Sequence, residues 1–157
     1  MLRLIASLFI TVSGFLCGEY FAERARIRKC QLKELVTMLG HMEIWLTSYG
    51  MSTEELFMEI YRKGGNYGRL FSVKSNHFTD DISSDIRTSS LEMKDKLADY
   101  IAGFGKTDLK GQLSLHRLFS YEVDTEYKNA AASYDRYAKL YRVGGLSVGI
   151  MAALLLL

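Results

Sequence analysis

Two apolar runs, one at each end, constrain the fold of this chain more than any other feature of its sequence. They cover residues 4–18 and 143–157, each 15 residues long and without a charged side chain. A helix that is apolar on every face has no polar side for water, so both runs are expected in lipid. A span of about 30 Å of hydrocarbon takes roughly 20 helical residues, with about 17 as the lower end. We therefore predict one transmembrane helix at each end, lengthened by neighbouring residues.

The flanks of the two runs supply the missing length. Residues 20–22 extend the first run, and residues 140–141 extend the second. Arg142 interrupts the second extension, but its aliphatic stem can lie along apolar surface while its guanidinium reaches water. The tyrosines of both flanks suit the aromatic belt of a membrane interface; they are Tyr20, Tyr137 and Tyr141. The predicted anchors are residues 1–22 and residues 143–157.

Basic side chains next to the runs predict the orientation of the chain. They follow the first run and precede the second, so they all face the middle of the sequence; they are Arg24, Arg26, Arg28, Lys29, Arg136, Lys139 and Arg142. Positive charge beside a spanning segment stays on the cytoplasmic side. We expect residues 24–142 to be cytoplasmic, with both short ends across the membrane.

Each run has an alternative interpretation. If the first run is a cleaved secretory signal, the mature chain is a secreted or cell-surface helical protein with a C-terminal anchor. No small-x-small cleavage site follows it, and Phe15-Leu16-Cys17 lacks the small residue that a lipoprotein site needs before Cys. The second run as a buried core helix would need a polar face, which it does not have. Two retained anchors are therefore favoured.

Length, charge and cysteine usage limit the class of protein. With 157 residues the chain has room for one domain and its anchors. Its net charge of +2 is too balanced for a nucleic-acid surface. Cys17 lies in the first apolar run and Cys30 in a basic stretch, so neither suggests a disulfide framework or a zinc site. Proline is absent, and nothing in the chain prevents long helices.

The middle of the chain begins with two well-marked helices. In the first, at residues 24–49, apolar positions recur every 3 or 4 residues up to the stop signal Gly50; they are Leu32, Leu35, Leu39, Met42, Leu46 and Tyr49. The second begins at Ser52, because Glu55 three residues later completes a capping box. Gly64-Gly65 ends it, and its predicted buried face is Leu56, Phe57, Ile60 and Tyr61.

The later helices are marked less clearly until the last one. Short helices are predicted at residues 69–74 and 80–87, the second capped by Thr79. Another covers residues 91–102, with Ser89 as its cap and Glu92 at the capping-box position. The last helix starts after Thr107 as cap and continues without a break into the second apolar run. The predicted fold is all-α, a cytoplasmic helical bundle with one transmembrane helix at each end.

No set of residues in the sequence has the spacing of a catalytic or metal site. His41, His77 and His116 are far apart, and none has a Glu or a second His at the spacing of HExxH. Residues 64–68 are rich in glycine but lack the Lys-Ser/Thr of a phosphate-binding loop. A membrane-embedded enzyme would need ionisable side chains inside the apolar runs. We predict no catalysis, no cofactor and no metal.

The segment at residues 103–112, GFGKTDLKGQ, is more specific than bundle packing requires. Gly105, one variable residue, Thr107, Asp108 and then Gln112 resemble a motif of the stage III sporulation protein AB family of endospore-forming bacteria. The resemblance continues to the Gly-Gly-Leu start of the second run, through Glu122, Glu126, Ala130, Tyr134, Tyr141 and Arg142. The N-terminal anchor and the basic first helix match in layout, so it covers nearly the whole chain.

This resemblance implies a role rather than an activity. The family is similar to one cytoplasmic repeat of the inner-membrane platform proteins of type II secretion and type IV pilus machines, which couple a hexameric ATPase to envelope assembly. It implies a location in the mother-cell membrane facing the forespore. The implied partners are a cytoplasmic secretion-type ATPase, other membrane proteins of the same sporulation complex and the lipid bilayer. No nucleic acid is implied, and self-association into a homo-oligomer stays open.

The same segment provides the candidate partner contacts, which are Gly105, Thr107, Asp108 and Gln112. Helix capping explains Thr107 and Asp108. It does not explain Gln112, one turn into the helix on the same face as Asp108, nor the glycines, which allow another backbone to approach closely. Two interpretations stay open: Gln112 holds Asp108 in place, or the pair binds a partner.

Overall fold

Helices make up the regular structure of this chain. The computed structural model describes residues 2–72 and 78–154, with side chains from residue 8 onward, and no strand occurs in this part of the chain. The helices are α1 (Leu2–Ile44), a π-helical turn (Trp45–Tyr49), α2 (Thr53–Lys63), α3 (Gly65–Gly68), α4 (Phe78–Thr88), α5 (Lys94–Gly103) and α6 (Leu109–Leu154). The prediction of an all-α fold is confirmed.

Packing divides the chain into two units. The end unit comprises Met1–Lys29 and Lys128–Leu157, and the central unit comprises Cys30–Tyr127. Helices α1 and α6 each contribute to both units. The predicted boundaries at residues 1–22, 24–142 and 143–157 refer to a membrane rather than to packing, and they stay predictions.

The apolar stripe of the first predicted helix forms one side of the central core. Five of its six members are at most 3% exposed; they are Leu32, Leu35, Leu39, Met42 and Leu46. Phe57 and Phe71 pack edge-to-face against this side of the bundle's interior, with ring centroids 5.2 Å apart. The 3–4 spacing therefore predicted the buried face of α1 correctly up to Leu46.

The sixth residue of the predicted stripe, Tyr49, is not buried, so this part of the prediction is wrong. The last turn of this segment, Trp45–Tyr49, is π-helical. Its hydrogen bonds run from residue i to i+5, so each turn takes more residues than in an α-helix. A side chain three positions after Leu46 then no longer shares its face, and Tyr49 is 68% exposed. Gly50 ends the turn with φ +57°, as predicted.

The capping box of α2 is confirmed. The Ser52 hydroxyl accepts from the Glu55 amide at 3.3 Å, and the Glu55 carboxylate accepts from the Ser52 amide at 3.0 Å. The bond from the Ser52 amide, together with one that the Ser52 hydroxyl donates to the same carboxylate at 3.0 Å, holds the pKa of Glu55 below its usual value. Leu56, Phe57 and Ile60 are buried, whereas Tyr61 is 51% exposed because it lies about 100° round the helix from Ile60.

The helices between residues 65 and 103 differ from their predicted positions. The helix in this region is the single turn of α3, which ends with Arg69 at its C-cap and so precedes the predicted helix at residues 69–74. The end of that predicted helix lies outside the described residues. Helix α4 covers Phe78–Thr88, so Thr79 lies within it rather than at its cap.

Helix α5 begins at Lys94, and the predicted capping box of Ser89 and Glu92 is wrong. The Ser89 hydroxyl instead donates to the Ile86 carbonyl at 2.7 Å and completes the end of α4. The Glu92 amide donates to the Gln31 side chain of α1 at 3.2 Å. Met93, at φ +55°, precedes the helix instead.

In the end unit, the backbones of α1 and α6 touch. A Cβ atom on Gly145 would lie 2.5 Å from the Gly14 carbonyl oxygen and 2.9 Å from the Gly18 Cα, and one on Gly149 would lie 3.0 Å from the Thr11 carbonyl oxygen. Buried Ala22, Ala138 and Ala153 continue this seam of small residues. The two helices are therefore antiparallel and packed at a distance that only glycine permits at its centre.

The outer surface of the end unit is apolar. Large apolar side chains there are 40–69% exposed; they are Leu8, Phe9, Val12, Phe15, Leu16, Val143, Leu146, Val148, Ile150, Met151 and Leu154. Among the described residues, no helix combines the length and the mean hydropathy of a membrane span.

Candidate functional site

The candidate partner contacts lie in the turn that joins α5 to α6. Gly105 has φ +81°, a backbone conformation that side chains rarely adopt, so glycine is required for the turn itself. A Cβ at this position would lie 3.4 Å from the Thr53 hydroxyl at the start of α2. Gly105, Thr107 and Asp108 are exposed, and Gln112 is half-buried.

Asp108, rather than Thr107, caps α6. Its carboxylate accepts a hydrogen bond from the Gly111 amide at 2.9 Å, and its carbonyl accepts from the Gln112 amide at 2.9 Å. The helix begins at Leu109, which puts Asp108 at the N-cap. The prediction of Thr107 as cap was wrong by one residue. The carboxylate of Asp108 also suits the positive end of the helix dipole.

Gln112 is tied to the same turn. Its side-chain amide donates to the Thr107 carbonyl at 3.2 Å, so it braces the backbone before the helix instead of contacting Asp108. Gly111 leaves room for the cap, since a Cβ there would lie 2.9 Å from the Asp108 carboxylate and 3.1 Å from the Thr107 hydroxyl. Thr107, Asp108 and Gln112 are thus brought together, and Gly105 shapes the backbone just before them.

An exposed apolar face follows the turn along α6. Its large side chains are 37–74% exposed; they are Leu115, Leu118 and Tyr121. Leu115 and Leu118 line a groove of about 310 Å³ between α5 and α6, whose rim carries Lys96, Asp99 and Glu122. Lys96 and Glu122 form an ion pair across this groove. We refer to the turn at residues 105–112 and this apolar face together as the assembly surface.

Sequence reasoning missed a buried polar network beneath this surface. The Tyr100 hydroxyl lies 2.6 Å from His116 Nδ1, and the Ser120 hydroxyl lies 3.2 Å from His116 Nε2. Burial lowers the pKa of His116 and raises that of Tyr100, which favours the neutral form of both. The i, i+4 spacing of His116 and Ser120 was the only sequence signal for this contact.

The chemistry of this network is structural. A serine next to a histidine is also the arrangement of an activated nucleophile, but the His116 ring is completely buried. Its hydrogen bonds therefore satisfy polar groups inside the core. Because its folded pKa is lowered, their contribution to stability is full above the ordinary histidine pKa of about 6.5 and declines as the pH falls below it.

A second groove of about 430 Å³ lies between α1 and α2 in the central unit. The His41 and Trp45 rings stack on one wall with centroids 5.8 Å apart, and the Lys63 ammonium lies 4.7 Å from the Trp45 ring centroid. Glu34, which also lines this groove, accepts from the Tyr67 amide at 3.1 Å, so its carboxylate is engaged in the fold. Among described residues no three His, Cys, Asp or Glu side chains converge as metal ligands, and His77 lies outside that part of the chain.

Comparison with known families gives one match. The sequence profile of the family described as stage III sporulation protein AB matches residues 3–157. Comparisons with curated proteins and with solved structures found no match.

Proposed function

This chain belongs to the stage III sporulation protein AB family, a family of sporulation proteins, and from that premise we propose that it is a non-catalytic membrane platform. In this role it would couple a cytoplasmic secretion-type ATPase to a secretion-like channel complex in the mother-cell membrane. The observation that carries the proposal is the end unit, a pair of helices in backbone contact with apolar side chains on the outside.

Close packing through glycine supports a membrane location for the end unit. In lipid the hydrophobic effect does not drive helices together, so association depends on small residues that let the backbones approach. Gly14 and Gly18 on α1, and Gly145 and Gly149 on α6, have the four-residue spacing of that packing mode. A pair of helices held together in water would instead bury its large apolar side chains.

The exposed side chains of the end unit support the same location. Contiguous apolar surface beyond a few hundred Å² is rare on soluble monomers and marks membrane or protein interfaces. In the full sequence the two runs extend through residues 4–7 and 155–157, which are entirely apolar apart from Ser7. Packing of Gly14 and Gly18 against α6 also gives the first run a place in the mature fold, which favours a retained anchor over a cleaved signal.

Reporter fusions test the proposed topology. A reporter inserted after Asn66 is expected to show cytoplasmic activity, and one fused after Leu157 is expected to show external activity, because basic residues flank only the inner side of each run. The measurement is alkaline phosphatase against fluorescent-protein activity at each position. An external signal at Asn66 would contradict the orientation, and cytoplasmic signals at both positions would contradict the membrane anchors.

The assembly surface is the proposed docking site of the ATPase. A braced polar turn next to exposed leucines and a tyrosine combines fixed hydrogen-bonding groups with apolar area, as interface centres do. Thr107 and Asp108 are exposed, and Leu118 and Tyr121 are 69% and 74% exposed. This docking site requires the turn to be rigid before the partner arrives, and the hydrogen bond from Gln112 to Thr107 provides that rigidity.

Combined replacement of Asp108 by Asn and Gln112 by Ala tests this docking site. We expect the Kd for the ATPase to rise about tenfold, which corresponds to the loss of one significant interface contact. Asn still caps a helix, so stability should fall by only about 1 kcal/mol for the lost Gln112 hydrogen bond. The measurement is retention of the ATPase by the full chain in detergent, alongside thermal unfolding.

A matched control is Asp85→Asn with Ser84→Ala, two exposed residues of α4. This pair should leave ATPase binding unchanged. A large drop in melting temperature with normal binding by the folded fraction would assign Asp108 and Gln112 to architecture alone.

A further inference from the structure

Cations gather in a short band of the end unit. Seven basic and three acidic side chains occupy residues 19–29 and 135–142; the basic ones are Arg24, Arg26, Arg28, Lys29, Arg136, Lys139 and Arg142, and the acidic ones are Glu19, Glu23 and Asp135. Two ion pairs between α1 and α6 mark the limits of the band. Arg142 donates to both Glu19 oxygens at 2.9 and 3.1 Å, and Lys29 donates to Asp135 at 2.9 Å.

Five exposed cations lie between these two ion pairs. We call three of them, Arg24, Arg136 and Lys139, the cationic collar. Within the described part of the chain none of them pairs with a carboxylate, whereas Arg26 pairs with Glu23 at 2.8 Å. The guanidinium of Arg24 lies 5.7 Å from the Tyr20 ring centroid, and that of Arg136 lies 5.9 Å from the Tyr137 ring centroid. The charges of the two arginines are therefore held beside aromatic rings, and all three collar side chains are exposed.

The collar occupies a defined level of the end unit. On one side of it the exterior consists of exposed apolar side chains such as Phe15 and Val148. Between them and the collar lie exposed aromatic rings, and those of Phe21 and Tyr141 approach to 6.1 Å. Apart from the Glu19–Arg142 ion pair, which lies on the apolar side of these rings, the order of apolar surface, aromatic rings and cations matches the order of hydrocarbon, interface and headgroup in a bilayer. The band spans about 15 Å of helix, enough for a headgroup layer.

From this placement we propose that the cationic collar binds the phosphate groups of anionic phospholipids. The proposal rests on the proposed membrane anchor and adds lipid selectivity to it. A basic side chain near an anionic leaflet favours binding by a factor of about five. Guanidinium groups also match phosphate oxygens in a bidentate geometry. A free phosphate ion shares this chemistry, but only a lipid also covers the aromatic and apolar surface beside the collar.

The test uses the full chain in mixed vesicles of phosphatidylcholine and phosphatidylglycerol. The chain is extracted in a mild detergent, and the lipids that remain bound are quantified by mass spectrometry. We expect phosphatidylglycerol to be enriched about fivefold over its share in the vesicle and this enrichment to fall with added salt. Addition of inorganic phosphate should not displace the lipid.

A charge-matched pair of variants isolates the collar. The triple variant Arg24→Gln, Arg136→Gln and Lys139→Gln should lose the enrichment. A control with Gln at Arg62, Lys63 and Arg69, three exposed cations of the central unit outside the assembly surface, removes the same charge and should keep it. The salt dependence of the unmodified chain tests the same contact without any substitution.

Each other outcome overturns a defined statement. If the chain stays in the vesicles but its bound lipids have the same composition as the vesicle, the collar proposal is overturned and the proposed anchor is not. Displacement by inorganic phosphate overturns the lipid as occupant. A chain that does not stay in vesicles of either composition overturns the proposed anchor, and the collar proposal with it.

Discussion

Replacement of Leu39 by Asp is expected to abolish the cooperative unfolding of the central unit. Leu39 is 1% exposed and belongs to the apolar stripe of α1. An unpaired carboxylate at such a position costs about 3–5 kcal/mol or more, against a typical total stability of 5–15 kcal/mol. The measurement is thermal unfolding of the full chain in detergent, followed by circular dichroism.

The control for this experiment stands one position further along. Gly40 is exposed, and a Cβ there would meet nothing within 4 Å. Gly40→Asp introduces the same charge in the same helix and should shift the melting temperature little. If both variants melt like the parent, Leu39 is not part of the core and the register of α1 is incorrect.

Replacement of Gly145 by Leu is expected to separate the two helices of the end unit. A Cβ at Gly145 would already lie 2.5 Å from the Gly14 carbonyl oxygen, and backbone cannot yield as a flexible side chain does. Overpacking of this kind costs about 1–3 kcal/mol when the surroundings adapt, and more when they do not. Spin labels on Cys residues substituted for Phe9 and Leu154, in a chain with Ser at Cys17 and Cys30, should give a narrow distance distribution in the parent and a broad one in the variant.

Gly144 supplies the matched control for this substitution. It precedes Gly145 directly, and a Cβ there would meet nothing within 4 Å. Gly144→Leu should therefore keep the narrow distribution of the parent. Equal broadening in both variants would show that bulk in this helix matters rather than contact between the backbones.

Features that depend on neighbouring residues were predictable from the sequence. The capping box of Ser52 and Glu55 is a local hydrogen-bonding pattern, and it forms as predicted. The stripe through Leu39 follows from the periodicity of one helix, and it is buried as predicted. Both depend on chemistry within one turn or on a helix of regular pitch.

Features for which the local sequence allows more than one outcome were not predictable in the same way. Serine is a common cap for the helix that follows it, yet the Ser89 hydroxyl donates to the Ile86 carbonyl at the end of the preceding helix. Local sequence does not decide between these two uses. The π-helical turn at Trp45–Tyr49 likewise carries no residue type that marks it, and it moved Tyr49 out of the core.

The candidate site shows the same division. The presence of a cap at the start of α6 was predictable, but its assignment to Asp108 depended on where the helix begins, which differs by one residue. The side-chain amide of Gln112 donates to the Thr107 carbonyl instead of holding Asp108, a choice that the spacing of these residues did not reveal. The spacing of Gly14 with Gly18 and of Gly145 with Gly149 is visible in the sequence, but their contact depends on the pairing of the two chain ends.

This pairing of the chain ends sets the order of events while the chain is being made. The ion pair of Glu19 with Arg142 joins residues 123 positions apart, so nearly all of the chain must be synthesised before it forms. Until then the glycine face of α1 has no partner within its own chain. The entropic cost of closing so long a loop falls once the residues between have folded, since a folded segment holds its two ends at fixed positions. The first helix of this protein therefore pairs with α6 only late, and the folding rate of the central unit sets the length of that delay.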